Sequence, residues 1–264
     1  MIRVRVCDGI GTAGRTSGVI DPAVERLLHG LAARDIEAEA QWIDYSASMF
    51  RVVGGNKTWQ ESSDEAVAQL LADFRRHPED KFVLMAYSGG NLPVHEFLDH
   101  HPQFHDRIVS VGFMSDPWRP NNKWQHGTRN PGGFGICGQD AGPIWDRSFW
   151  TSAWGDPISG ADWDSLLRHL ADVSKGGPDQ IIHDAIIAFQ QGNLQLARFL
   201  GLPIHQWFFG LGDRINRAGG EAYRYLTGFH TDHYVIPHMT SPDDARSLSE
   251  RFGDTLSFAV QARI

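Results

Sequence analysis

One stretch about a third of the way along the chain restricts the possible folds more than any other. The predicted strand at 81–87 holds the uninterrupted run Phe-Val-Leu-Met-Ala-Tyr, which is typical of a parallel strand covered on both faces. A tight Ser-Gly-Gly turn at 88–90 and a helix to about residue 100 follow, and another apolar strand is predicted over 108–114. This order of elements predicts an α/β domain with a parallel sheet and right-handed crossovers.

The same alternation begins near the N-terminus and stops after residue 114. Before the central strand we expect a strand at 2–7, a helix from Asp21-Pro22 to about 33, a strand at 37–43 and a helix opened by Ser62 and Ser63. After 114 we expect a loop at 116–143, a strand at 147–154, helices within 160–227 and a C-terminal helix from Ser241-Pro242-Asp243-Asp244 to about 259. The chain is therefore predicted to be one domain over 1–264, with 160–227 as a helical insertion.

Composition excludes several classes of protein. Lys and Arg number 24 and Asp and Glu number 32, so the net charge is −8, which argues against nucleic acid as a main partner. No apolar run approaches 18 residues, so no membrane span is expected. The alternating strand at the N-terminus is unlike a signal peptide, and we expect synthesis without a secretion signal. Cys7 and Cys137 are expected as two free thiols, although one bridge between them stays open.

The central turn matches a known catalytic motif. Ala86-Tyr87-Ser88-Gly89-Gly90 follows the Gly-x-Ser-x-Gly pattern of the nucleophile elbow, with alanine in the first position. The motif needs small residues around the serine, because a strained strand-to-helix turn lifts the hydroxyl above the sheet. The strand before it and the helix after it are the context that the motif demands. Ser88 is therefore predicted to be a nucleophile.

A nucleophilic serine needs a base and a carboxylate that orients the base. Two aspartates follow predicted strands, Asp116 after the strand at 108–114 and Asp156 after the last strand, and both remain candidates for the acid. The base is expected in the cluster Gly-Phe-His-Thr-Asp-His-Tyr at 228–234, which offers His230 and His233. A His-x-x-His pair without further ligands at matching spacing does not predict a metal site.

A second glycine motif competes with the elbow. Residues 9–14 form Gly-x-Gly-x-x-Gly after a strand, and Asp35 lies about 20 residues further on, as in a dinucleotide-binding fingerprint. The fingerprint requires a helix that starts within the glycines, whereas Gly18 and Pro22 would interrupt such a helix. A non-enzymatic dinucleotide-binding or glycan-binding protein is therefore the lesser alternative.

The glycine-rich loop is better explained as part of an oxyanion hole. In a serine hydrolase, a loop after an early strand supplies one N–H group to the oxyanion, and the residue after the nucleophile supplies the other. We expect the loop donor at Gly11 or Thr12 and the second donor at Gly89.

Four pieces of the sequence, in this order, resemble the mycobacteriophage lysin B family of cutinase-like serine esterases, which cleave mycolic esters of arabinogalactan. The pieces are the strand and Gly/Thr loop at 6–12, the Tyr-Ser-x-Gly elbow at 88, Asp-Pro-Trp-Arg at 116–119, and Gly155-Asp156 followed by helices and a histidine close to Tyr234. Alanine at 86 in place of the usual glycine, and two histidines before Tyr234, depart from the family pattern.

The resemblance implies a cutinase-like α/β-hydrolase fold and a Ser-Asp-His triad. It implies Ser88 as nucleophile, Asp156 as acid, since Asp116 falls where the family has a non-catalytic Asn, and His230 as base, with His233 as the alternative. It also implies no cofactor, a linker subdomain at 160–227, a lipid–glycan substrate of the cell envelope, and accumulation in the host cytoplasm until lysis. A monomer is presumed. A cutinase-like lipid esterase is the alternative, and tryptophans flanking the site could line a groove: Trp118, Trp124, Trp150, Trp154 and Trp163.

Overall fold

The structure, a computed structural model, describes residues 1–165 except 14 and 52, then 167–172, 219–239 except 222, and 243–264. Five parallel strands form one sheet in the order β2-β1-β3-β4-β5. The strands are β1 (Ile2–Cys7), β2 (Ala38–Trp42), β3 (Lys81–Tyr87), β4 (Ile108–Met114) and β5 (Ser148–Thr151). The described helices are α1 (Asp21–Ala32), α2 (Trp59–Arg76), α3 (Asn91–His100), α4 (Leu167–Asp172), α5 (Asp232–Val235) and α6 (Leu248–Gln261).

Helices cover both faces of the sheet, which is why the central strands are continuously apolar. On one face, α1 and α6 bury a core that includes Val4 and Val6 of β1. On the other face, α2 and α3 pack over residues such as Leu84 of β3. The two helices of the first face approach closely, because a Cβ atom at Gly253 would lie only 2.2 Å from the carbonyl oxygen of Ala23. The predicted parallel α/β sheet is confirmed.

Two helices begin at different residues from those predicted. Helix α2 begins at Trp59 instead of Ser62, because Thr58 caps it and Glu61 completes a reciprocal capping box. Helix α6 begins at Leu248 instead of near residue 241, because Ser247 and Glu250 form the same box. In each case the prediction selected a plausible polar start and missed a stronger one nearby.

Two further boundaries also differ from the prediction. Asp21 is not an N-cap: Ile20 occupies that position, and the Asp21 carboxylate accepts a hydrogen bond from the Thr16 hydroxyl. The last strand is Ser148–Thr151, shorter than the predicted 147–154. Its early end matters for the site, because the four residues after Thr151 form the connection that leads to Asp156.

The predicted helical insertion at 160–227 lies mostly outside the described residues. Within it, 167–172, 219–221 and 223–226 are helical. Helix α4 is fixed to the loop region through Arg168, whose guanidinium donates to the carbonyl oxygens of Gly135 and Ala161. A search of the described helices finds none that is long and apolar enough to cross a membrane.

Candidate active site

Ser88 has the backbone geometry of a nucleophile elbow. It follows β3 directly, with a positive φ of 52°, in the short turn Ser88–Gly90 that precedes α3. A Cβ atom at Gly89 would lie 2.4 Å from Cγ1 of Ile10, and one at Gly90 would lie 2.1 Å from the carbonyl oxygen of Cys7. Backbone atoms therefore exclude a side chain at Gly90, and the Ile10 side chain would have to move to admit one at Gly89. With this elbow after β3 of a parallel sheet, the fold is of the α/β-hydrolase type.

His230 and Asp156 complete a chain of hydrogen bonds that starts at Ser88. The Nε2 atom of His230 lies 2.8 Å from Oγ of Ser88, and its Nδ1 atom lies 3.1 Å from Oδ1 of Asp156. Asp156 is fully buried in the connection after β5, and His230 is nearly buried just before α5. Three segments far apart in the sequence therefore bring the three side chains together, with histidine between serine and aspartate as in a catalytic triad.

Four further donors hold the Asp156 carboxylate. Its Oδ2 atom accepts hydrogen bonds from the hydroxyls of Ser115 (2.5 Å), Tyr234 (2.6 Å) and Ser159 (3.0 Å), and Oδ1 accepts from the N–H of Ile158 (3.0 Å). Burial by itself raises the pKa of Asp156, but the charge of His230 and these hydrogen bonds outweigh it and hold that pKa below its ordinary value. The carboxylate is therefore ionised at neutral pH, although it is buried.

His233, the alternative base, occupies a different environment. Its ring packs on Phe229 with centroids 3.9 Å apart, and its Nδ1 atom is buried with no hydrogen-bond partner among the described residues. Burial lowers the pKa of His233. The hydrogen bonds to Ser88 and Asp156 are made by His230, three residues earlier.

Asp116, the competing acid, lies in a separate buried cluster. Its carboxylate oxygens lie 3.2 Å from Nε2 of His95, and Oδ2 accepts a hydrogen bond from the indole N–H of Trp150 (2.9 Å). The backbone N–H of Trp118 donates to Oδ1 (2.9 Å). Asp116 therefore ties the segment after β4 to helix α3 and has no recorded bond to His230.

The His95–Asp116 pair should make stability depend on pH. Burial lowers the pKa of His95, but the adjacent Asp116 carboxylate outweighs burial and raises that pKa above its ordinary value. The charged pair thus stabilises the fold fully below about pH 6.5, and this contribution is lost as the pH rises through the folded-state pKa. We expect the difference in Tm between the wild type and His95→Gln to shrink between pH 6 and pH 9 in calorimetry. A difference that is constant over this range would contradict the assignment.

Both predicted loop donors of the oxyanion hole contact other carbonyl oxygens. The N–H of Gly11 donates to the carbonyl oxygen of Ala47 (2.7 Å), and the N–H of Thr12 lies 3.3 Å from the carbonyl oxygen of Gly9. The N–H of Gly11 is therefore already bonded to Ala47. The N–H of Thr12 would donate to an oxyanion only after its weak bond to Gly9 had broken. Ile10 packs against Gly89, so the loop does lie beside the elbow. The donors themselves stay a prediction.

A cavity of about 340 Å³ opens over Ser88 and His230. Two tyrosine rings flank the imidazole of His230, with centroids 5.2 Å away for Tyr87 and 5.0 Å away for Tyr225. The described lining also includes Gly9, Ile10, Thr12, Ser17, Gly18, Val19, Thr231, Asp232 and Val235. Tryptophan is absent from this described lining, so the predicted tryptophan groove is not found there. Trp150 is buried beside Asp116, and Trp163 is 74% exposed.

One buried cation organises the loops next to the site. The guanidinium of Arg119, which is fully buried, donates to five carbonyl oxygens, namely those of Pro120, Lys123, Gly132, Gly133 and Ser159. Burial lowers the pKa of Arg119 to about 10, so the side chain is still charged at neutral pH. It joins the loop after β4 to the segment that holds Asp156.

Replacing Arg119 with methionine should destabilise the protein strongly. The methionine fills a similar length but leaves five carbonyl oxygens without this donor, and we expect a loss of about 3 kcal/mol or more in the free energy of unfolding. For a chain of this size that corresponds to a fall in Tm of about 6–12 °C by calorimetry. The exposed Arg15→Met variant is the matched control. Equal Tm values for the two variants would contradict this role for Arg119.

The comparisons with solved structures give likenesses at low sequence identity. Lysin B from Mycobacteriophage D29 superimposes with a TM-score of 0.46 and 16% identity, covering 84% of this chain and 89% of that chain. An acetylxylan esterase gives 0.45 and 18%, covering 74% and 98%. A cutinase-like protein from Cryptococcus sp. gives 0.44 and 13%, covering 74% and 90%.

No protein-family model matches the sequence, and no curated protein matches it.

Proposed function

We propose that the protein is a serine esterase that hydrolyses carboxylic esters through a covalent acyl-enzyme. The observation that carries the proposal is the 2.8 Å contact between Oγ of Ser88 and Nε2 of His230, at a serine held with positive φ above a parallel sheet. A serine in this backbone conformation costs energy, and such strain persists where the surrounding structure enforces it, often at catalytic sites. The nucleophile elbow serves acyl transfer, and esters are the proposed substrate class because the sequence resembles a family of serine esterases.

The acylation step uses His230 as a general base. As Oγ of Ser88 attacks the ester carbonyl, its proton moves to Nε2 of His230. The tetrahedral intermediate collapses, the bond to the alcohol oxygen breaks, and the alcohol leaves with the proton from His230. Water then attacks the acyl-Ser88 ester, gives its proton to His230, and releases the carboxylic acid as Ser88 regains its hydrogen. His230 accepts or donates the proton in each of these steps.

Asp156 keeps His230 ready for this role. An ionised carboxylate at Nδ1 fixes the tautomer that leaves Nε2 free to accept the serine proton, and it stabilises the imidazolium that forms. The four other hydrogen bonds to Asp156 hold the carboxylate in place and keep it charged. The N–H of Gly89 is proposed as one donor to the oxyanion because it directly follows the nucleophile.

We further propose that the physiological substrate is a mycolic ester of arabinogalactan, hydrolysed when a phage lyses its host. The four sequence pieces that resemble the lysin B family support this assignment. The enzyme would then accumulate in the host and meet its envelope substrate only at lysis. A cutinase-like esterase for soluble acyl chains is the second candidate, because it would use the same arrangement of Ser88, His230 and Asp156.

A fluorophosphonate probe tests the esterase proposal directly. We expect stoichiometric labelling at Ser88, located by peptide mass spectrometry, and loss of p-nitrophenyl ester hydrolysis in parallel. Mycolyl-arabinogalactan assayed beside triglycerides separates the two substrate candidates. Absence of labelling, in a protein whose circular dichroism shows an intact fold, would refute the esterase assignment. It would favour the alternative of a dinucleotide-binding or glycan-binding protein.

A further inference from the structure

Ser115 occupies a strained backbone position at the end of β4. Its φ is 49°, in the left-handed region that favours glycine, yet the residue is a serine and is fully buried. Its backbone N–H donates to the carbonyl oxygen of Thr151 (3.0 Å), which continues the pairing of β4 with β5. Glycine would satisfy this backbone at lower cost, so the serine side chain is the feature that needs an explanation.

The Ser115 hydroxyl joins the two residues proposed as acid and base. Its Oγ lies 2.5 Å from Oδ2 of Asp156 and 3.0 Å from Nδ1 of His230. The direct bond from Nδ1 of His230 to Oδ1 of Asp156 is 3.1 Å long. With Nδ1 protonated, His230 shares its N–H between the serine and aspartate oxygens, and the serine O–H donates to the carboxylate. The three side chains thus form a closed triangle of hydrogen bonds.

The other donors to Asp156 do not reach the base in this way. Tyr234 and Ser159 both donate to Oδ2, but neither has a recorded hydrogen bond to the His230 ring. Within the described part of the chain, Ser115 is the one further side chain that bonds both partners. It is fully buried and is not among the described residues that line the cavity, so substrate is not expected to touch it.

We infer that Ser115 is a positioning residue that orients His230 through a second path parallel to the direct Asp156–His230 bond. This inference rests on the proposed esterase function. A hydroxyl that accepts from Nδ1–H and donates to the carboxylate fixes the imidazole plane at two points rather than one. It also holds the tautomer in which Nε2 is available to Ser88. The positive φ places the Cβ atom of Ser115 where this triangle can close.

The test compares Ser115→Ala and Ser115→Gly with a matched control. Ser110→Ala is the control, because Ser110 is in β4, the strand that Ser115 directly follows, is fully buried, and its hydroxyl has no partner among the described residues. We expect kcat on a p-nitrophenyl ester to fall about 10-fold to 100-fold in both Ser115 variants with KM unchanged. Ser110→Ala should stay within about twofold of the wild type, because it breaks no recorded hydrogen bond.

The glycine variant separates backbone from side chain. If Ser115 mattered only for its backbone conformation, glycine would relieve the strain and preserve kcat, and that result would overturn the inference. Circular dichroism and thermal melting check that each variant folds. If Ser115→Ala does not fold, Ser115→Gly carries the test, because glycine accepts the positive φ.

A proton resonance provides a readout that does not depend on turnover. In the wild type we expect a low-field NMR signal from Nδ1–H of His230. This signal should move further downfield in Ser115→Ala, because the proton then belongs to the Asp156 bond alone. It should be unchanged in Ser110→Ala. An unchanged signal in Ser115→Ala would overturn the inference.

The two proposals fail in distinguishable ways. A wild-type protein that neither hydrolyses esters nor reacts with a fluorophosphonate would defeat the esterase function, while the NMR comparison would still test the triangle. An active wild type whose Ser115 variants match Ser110→Ala in kcat would defeat the positioning role alone.

Discussion

Ser88→Ala should lower kcat/KM for a medium-chain p-nitrophenyl ester by at least about four orders of magnitude. The variant removes the only atom that forms the covalent intermediate, while its methyl group fits the same turn. His230 then has no hydroxyl at 2.8 Å from Nε2 to deprotonate. Because alanine keeps the positive φ of 52° without a new contact, the fold should be retained by circular dichroism and the Tm should change little.

Ser110→Ala serves as the control for this variant as well, since it removes a buried serine hydroxyl from the neighbouring strand β4. Fluorophosphonate labelling should disappear in Ser88→Ala and persist in the control. If Ser88→Ala retained more than a few per cent of wild-type hydrolysis, the nucleophile would have to be another residue.

His230→Ala should lower kcat/KM by about three to four orders of magnitude or more, whereas His233→Ala should leave the chemical step nearly intact. His230 bonds both Ser88 and Asp156, so its loss removes the general base and the link to the acid. His233 packs on Phe229 instead, and its replacement should appear mainly as a lower Tm. The two variants differ by three positions in one short segment.

Steady-state kinetics at one pH and thermal melts of both variants check this prediction. The pair forms its own control, because each replaces a nearly buried histidine with alanine in or next to α5. Equal activity losses, or a larger loss for His233→Ala, would contradict His230 as the base.

The order of the strands and helices could be predicted from the sequence because their signals are local. The apolar run of β3, the Asp-Pro start of α1 and the glycines at 89 and 90 all act through neighbouring residues. The helix starts of α2 and α6 were less predictable, because several polar residues near each start compete to cap it. The N-cap in each helix is the residue with a glutamate three positions later, Glu61 for α2 and Glu250 for α6.

The residues of the candidate site also differ in how far local sequence could predict them. Ser88 could be found because its motif is complete within five residues. The choice between Asp116 and Asp156, and between His230 and His233, could not be made from spacing alone, since each pair offers the same chemistry at similar places. The sequence resemblance favoured Asp156 and His230, and the structure places these two in contact with each other. Ser115 was missed because no local pattern distinguishes it.

The sequence by itself determined a parallel α/β sheet with a serine at a strained turn, because periodicity and turn chemistry depend on residues a few positions apart. Only the tertiary structure decided which carboxylate and which imidazole lie together. Asp156 and His230 are 74 positions apart and meet at 3.1 Å, and Ser115 joins them from another strand end. The apolar run at 82–87 thus predicts the strand at whose C-terminal end the nucleophile lies. Its hydrogen-bond partners depended on how distant loops pack above that strand.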